Sequence, residues 1–370
     1  MEEINILLEK FKKTAENPKQ AAENIIKNGK KICGIMPAYV PEEIAYAAGY
    51  IPMGIWGGER EVKNAGAFLP PFSCSIMLSV MEGVLKGVYE KCDFIMVSSL
   101  CDTLKCMGQK MRSFNKIIQI APPHNRNIYG AEEYLLEEYT KAKEKTEEIS
   151  GKKISEKDLK NAIDIYNENY EALRNFSKIA SEHLDIITPT VRHSIFKAGF
   201  FSDRKEHTAD VKKLCSLLEK REKYTGGKRI MLTGIIADDD RILKRFEEYG
   251  FVVAEDELLN ESRFAEQKIP ENAELLRALV LKWLKTENCS LAYDPKKSRI
   301  ENIARKAKNC HAVIHCFMPF CDVEAFDEPF LTERLKEEKI PHIKLDFGRQ
   351  DINLARAETK LEALSEMLEE

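Results

Sequence analysis

Short runs of consecutive apolar residues, separated by helix-forming stretches, recur along this chain in two blocks. The first block holds Lys31-Ile32-Cys33-Gly34-Ile35, Ile51-Pro52-Met53-Gly54-Ile55-Trp56, Phe94-Ile95-Met96-Val97-Ser98 and Ile117-Ile118-Gln119-Ile120. The second holds Arg229-Ile230-Met231-Leu232-Thr233-Gly234, Phe251-Val252-Val253-Ala254, Ser290-Leu291-Ala292-Tyr293, Ala312-Val313-Ile314-His315 and His342-Ile343-Lys344-Leu345. A strand apolar on both faces must be covered on both faces, and alternation with helices achieves this in a parallel sheet. The expected fold class is therefore α/β, with two doubly wound, Rossmann- or flavodoxin-like parallel-sheet domains over residues 31–129 and 226–350. Residues 130–225 hold no convincing strand; 132–149 and 156–180 read as long charged helices, so this stretch is a helical connector. Residues 1–30 read as an N-terminal helical segment, with Leu7, Leu8, Phe11 and Ala15 at helical spacing. Residues 351–370 read as a C-terminal helix from Leu354 to Met367. Further helices are expected from Pro41 to Ala48, closed by Gly49, and from Ser73 to Tyr89.

Charged residues make up 32% of the 370 positions, with a net charge of −4. That balance disfavours nucleic acid as the main partner, because phosphate neutralisation needs a basic face. No apolar run reaches membrane-spanning length, and the acidic start Met1-Glu2-Glu3 lacks a signal-peptide pattern. A cytoplasmic protein with no membrane partner is expected. In that compartment its ten cysteines stay reduced. Cys33, Cys92, Cys215 and Cys289 read as small core residues.

Cys74, Cys106 and Cys321 read differently, since each follows a strand by a loop or opens a helix. Open α/β sheets bind ligands beyond the carboxyl ends of their strands, and a helix N-terminus favours a thiolate. If the domains face each other, the three thiolates share one cleft and suggest a metal or iron–sulfur site with an open ligand position. No Cys-x-x-Cys is present. Two Cys-x4-Cys pairs, Cys101 with Cys106 and Cys316 with Cys321, offer an alternative four-cysteine zinc or iron–sulfur site. Cys101 and Cys316 lie nearer the strand ends, where packing is the commoner role.

Other polar candidates are weaker. Tyr39 and Glu43 flank the exit of the first strand, and Glu43 suits a helix first turn. Asp238-Asp239-Asp240 reads as an N-cap with solvated neighbours. His315 reads as a satisfied core residue. Lys105, Lys110 and Arg112 form a basic cluster that could attract a phosphorylated ligand or solvate a helix face. There is no Walker A loop and no G-x-G-x-x-G.

Four stretches resemble the 2-hydroxyacyl-CoA dehydratase family, which includes the benzoyl-CoA reductase subunits. They are Pro37-Ala38-Tyr39-Val40-Pro41-Glu42-Glu43-Ile44, Phe72-Ser73-Cys74-Ser75, Cys101-Asp102-Thr103-Leu104 with Cys106, and Phe320-Cys321-Asp322-Val323-Glu324. In length and motif style the chain is most similar to beta-type subunits. The resemblance implies a [4Fe–4S] cluster held by Cys74, Cys106 and Cys321, with no catalytic acid or base carried over to this chain. It implies a homologous alpha subunit with a second cluster and most of the pocket for a 2-hydroxyacyl-CoA. It also implies an ATP-dependent iron–sulfur activator protein that injects one electron. The electron passes through this subunit to the substrate, and water is eliminated through a ketyl radical to give a 2-enoyl-CoA. Oxygen sensitivity follows. Asp351-Ile352-Asn353-Leu354-Ala355-Arg356 departs from the Gly-Gln-x-Arg pattern of many members. A double-cubane-type iron–sulfur reductase of the same superfamily and a non-enzymatic zinc- or cluster-stabilised scaffold are the alternatives.

Overall fold

The computed structural model describes residues 1–36, 39–58, 60–286, 289–348, 350 and 353–369. Helices α1 (Glu2–Glu16) and α2 (Pro18–Lys27) lead into β1 (Lys31–Ile35), α3 (Glu42–Ala47), β2 (Tyr50–Gly54), α4 (Ser75–Leu85), β3 (Phe94–Ser98), α5 (Asp102–Met111) and β4 (Ile117–Ile120). Four helices follow: α6 (Ala131–Ser150), α7 (Glu156–Ala180), α8 (Pro189–Gly199) and α9 (Arg204–Leu218). The second alternation comprises β5 (Lys228–Gly234), α10 (Asp240–Glu248), β6 (Phe251–Leu258), α11 (Ser262–Glu266), α12 (Leu275–Leu284) and α13 (Ser298–Ala307). It continues through β7 (Ala312–Phe317), α14 (Asp322–Glu337), β8 (His342–Asp346) and α15 (Leu354–Met367).

All strand pairs are parallel, and the two sheets run in the same order, β2-β1-β3-β4 and β6-β5-β7-β8. The winding reverses between β1 and β3 and again between β5 and β7. These are the switch points where open α/β sheets form crevices. Every residue of β2 and β3 is buried, as a sheet covered on both faces requires. On α1 the buried residues are Ile4, Leu7, Phe11 and Ala15, a single helical stripe. Ser155 and Asp158 close a capping box at the start of α7.

Two expectations need correction. Ser290-Leu291-Ala292-Tyr293 forms turns, and the second sheet has four strands. The run has no β-branched residue, and the Tyr293 N–H donates to the His124 carbonyl, in the loop after β4, at 2.9 Å. The helix expected over 73–89 spans Ser75–Leu85. Gly87, at φ 71°, adopts the left-handed turn that ends it. Its N–H bonds the Val84 carbonyl, and the Val88 N–H bonds that of Gly83, which is a Schellman arrangement. The motif residues Pro37 and Ala38, and Asp351 and Ile352 of the departing segment, lie outside the described residues.

Candidate metal centre between the two sheets

The carboxyl ends of both switch points open onto one cavity. It measures about 690 Å³ with its mouth and is lined by Met36 beyond β1, Cys101 beyond β3, Ile235 and Ile236 beyond β5, and Met318 and Cys321 beyond β7. Cys74, Ile55, Trp56, Met77 and Leu104 complete a largely apolar wall. Three of the lining residues are cysteines, and each is the residue immediately before a helix: Cys74 before α4, Cys101 before α5 and Cys321 before α14. Their following residues, Ser75, Asp102 and Asp322, open those helices. Three helix N-termini therefore point their partial positive charge at one apolar space.

The Leu104 N–H donates to the Cys101 thiol at 3.4 Å. The N–H groups of Met77 and Ile76 favour a thiolate at Cys74, and that of Glu324 does so at Cys321. Burial outweighs these donors. It pushes the Cys74 thiol up to about 11, raises Cys101, and raises Cys321 further still. The thiols are protonated when nothing cationic is bound, and a metal would displace those protons.

The structure thus brings Cys74 and Cys321 together as the sequence suggests, with Cys101 as the third cysteine. Cys106 lies on the exposed side of α5. The paired four-cysteine alternative is not assembled, since Cys316 is enclosed within β7 in the core of the second sheet. Among the described residues, no three His, Cys, Asp or Glu side chains gather tightly enough to hold a single ion. The three thiols ring a cavity instead, and a polynuclear iron–sulfur cluster is wider than one ion. An all-thiol donor set with apolar walls and an open side could hold such a cluster.

Two buried charge networks support this cavity, and sequence reasoning missed both. His193 on α8 bonds Glu261 through Nδ1 and Asp238 through Nε2, both at 2.9 Å. Asp238 also accepts from Lys197 at 2.9 Å and from the indole of Trp56, a cavity-wall residue, at 2.5 Å. Burial alone would lower the His193 pKa, but the two carboxylates override it and raise it to about 9. Asp238, half-buried with its carboxylate shared by His193, Lys197 and Trp56, is therefore a bonded partner and no solvated neighbour; Asp239 alone caps α10, accepting from the Arg241 N–H. The second network lies under α14. Glu324 is fully buried and receives Arg299, whose Nη1 is 3.1 Å away, and His315 at 3.2 Å. Burial opposes its charge, yet Arg299 and then His315 hold its carboxyl well below the usual range.

The remaining candidates lie elsewhere. Glu43 does fall in the first turn of α3 but is buried, 3.3 Å from the Tyr170 hydroxyl and 3.4 Å from Lys282. The Tyr39 ring packs on Trp283 at 4.7 Å. Lys105 and Lys110 lie on the exposed side of α5, and Arg112 donates to Gln119 at 3.3 Å. His315 is a paired core residue, as its place in a strand suggests.

Fold and cleft define a class: two-sheet α/β proteins with a thiol-lined crevice where the sheets' switch points meet. The family model described as 2-hydroxyglutaryl-CoA dehydratase, D-component, matches residues 37–368, and the chain belongs to that family. It is 37% identical over 365 residues to the (R)-phenyllactyl-CoA dehydratase beta subunit of Clostridium sporogenes, covering 97% of both chains. It is 34% identical, over the full length of both chains, to the lactoyl-CoA dehydratase subunit beta of Anaerotignum propionicum. A benzoyl-CoA reductase subunit of Thauera aromatica is 25% identical over 86% of each chain. Among the described residues no helix is long and apolar enough to cross a membrane.

Proposed function

We propose that this chain is the beta subunit of an oxygen-sensitive (R)-2-hydroxyacyl-CoA dehydratase. Cys74, Cys101 and Cys321 would hold a [4Fe–4S] cluster, with one iron left without a thiolate from this trio. Cys101 takes the place the sequence gives to Cys106, because its thiol faces the cavity and that of Cys106 faces solvent. The observation that carries the reading is the convergence of three helix-opening cysteines on one apolar cleft. It occurs in a chain similar over its whole length to proteins named as dehydratase beta subunits.

Held there, the cluster would supply a one-electron carrier whose potential is set by burial and by hydrogen bonds to its sulfurs. The chain's own residues fix the surroundings. The apolar wall excludes water, the helix N–H groups face the thiolates, and the Glu324–Arg299–His315 network anchors the helix that Cys321 opens. A homologous alpha subunit would carry a second cluster and most of the pocket for the 2-hydroxyacyl-CoA. A separate ATP-dependent iron–sulfur protein would deliver the electron, consistent with the lack of a nucleotide motif here.

The test is iron and acid-labile sulfide content of the anaerobically purified chain. About four irons per chain, lost on exposure to air, is the expected result. Zinc, or no metal, would overturn the reading.

A further inference from the structure

The three cysteines that ring the cleft open their helices in the same way, but the turns behind them differ. The third residue of α4 is Met77 and that of α5 is Leu104, and both line the apolar cleft. The third residue of α14 is Glu324, which is fully buried and bonds Arg299 and His315 instead. An acid in the first turn of a helix is already favoured by the helix dipole while it stays in water. Burying it adds a desolvation penalty and no further gain from the dipole. Nor does Glu324 close a capping box, the usual work of an acid at this position. The Cys321 N–H donates to the Met318 carbonyl at 3.0 Å, and the Cys321 side chain makes no capping bond.

The Glu324 charge lies close to the cleft and is incompletely cancelled. Its backbone N–H faces the Cys321 thiol, and after burial its carboxylate is the next influence that raises that thiol, so the sulfur feels the charge. Arg299 reaches the carboxylate from α13 and is shared with Glu257 and Asp327, at 3.3 Å each. Oε1 of Glu324 lies 3.1 Å from Arg299 Nη1 but accepts no hydrogen bond. Little water screens a buried charge, so it acts strongly across an apolar space. A group that takes up an electron in this cleft therefore does so beside a fixed negative charge.

We infer that Glu324 is a positioning residue of the metal centre: acting through Cys321, its fixed charge lowers the reduction potential of the group bound there. The electron is then held weakly and passes on readily. Net charge and hydrogen bonds around the sulfurs are the levers by which a protein sets such a potential. The inference rests on the metal-centre reading and adds to it the residue that makes the site strongly reducing.

Dye-mediated redox titration of the iron-loaded full chain under argon tests it, read by visible absorbance and electron paramagnetic resonance. Glu324→Gln should raise the midpoint potential; a tenfold shift in the one-electron equilibrium reads as about 59 mV. Glu324→Asp, which keeps the charge, should return most of the way to the unaltered value. Asp327→Asn takes a different acid from Arg299 on the same helix and should leave the potential nearly unchanged. Glu324→Gln also leaves Arg299 short of a counter-charge, so the double variant Glu324→Met with Arg299→Met is made alongside it. Removing both partners spares the fold an unpaired charge, since Glu257 and Asp327 keep Arg263 and Lys297. The potential should still rise. An unchanged or lower potential in either iron-loaded variant, or a shift in Asp327→Asn as large as in Glu324→Gln, overturns the inference. Loss of iron from both the single and the double variant does so too, since Glu324 would then be structural only. An unaltered chain without iron fails the metal-centre reading and takes this inference with it; an iron-loaded chain whose potential ignores Glu324 fails the inference alone.

Discussion

Replacing Cys101 with serine should remove the metal centre while leaving the fold in place. Cys101 holds the N-cap position of α5, with extended backbone and a capping bond from the Leu104 N–H. Serine is among the best N-cap residues, and its hydroxyl accepts the same bond. Compared with the unaltered protein, both freed of metal, the stability change should stay below about 1 kcal/mol, a thermal shift of no more than about 2–4 °C. A serine hydroxyl is a far weaker iron ligand than a thiolate, so a site with only two thiolates remaining should lose most of its iron and its visible absorbance. Cys106→Ser, at an exposed position, should change stability by less than about 0.5 kcal/mol and keep the metal. Iron, sulfide and melting temperature are measured on both variants alongside the unaltered protein, all prepared without oxygen. Full iron in Cys101→Ser, or iron loss confined to Cys106→Ser, would refute the assignment of the third ligand.

Two further outcomes rest on the buried networks. The His193 pKa is raised to about 9 in the folded chain from roughly 6.5 unfolded. Its stabilisation is therefore complete below pH ~6.5 and is lost as pH rises toward 9. The loss amounts to about 3 kcal/mol at most. Urea midpoints across that range should fall for the unaltered protein and fall less for His193→Gln; parallel profiles would sink the argument. Glu324→Gln leaves Arg299 and His315 facing a neutral group in a buried setting, which should cost about 3–5 kcal/mol in a denaturant titration. A cost under about 1 kcal/mol would mean that Glu257 and Asp327 already suffice to balance Arg299.

The architecture was readable because burial on both faces leaves a continuous apolar run, and β1, β3, β5 and β7 all show one. Leu354 to Met367, read as the terminal helix, is α15 residue for residue. Ser290–Tyr293 was misread because four residues of mixed size carry little strand signal, and a tertiary hydrogen bond to His124 decided their conformation. The cavity-facing position of Cys101 was hard to read because residues just beyond a buried strand more often pack than bind. A signal was nonetheless present. Cys74-Ser75, Cys101-Asp102 and Cys321-Asp322 each place cysteine directly before a polar residue that begins a helix, whereas Cys106 falls mid-helix. The His193 network had no such signature. Trp56, His193, Asp238 and Glu261 come from four separate segments that meet only through tertiary packing, in which α8 lies against α1 and α10.

Two of the three candidate ligands follow strands of the first sheet, and the third follows a strand of the second. A group bound to all three therefore acts as a cross-link between the halves of the molecule. By mass action it stabilises the docked arrangement over any in which the sheets part. Cofactor content and interdomain rigidity then become one variable. Stripping the proposed cluster should leave each sheet intact while increasing hydrogen exchange along the cleft, so oxygen damage to such a cluster would also change the shape of the protein.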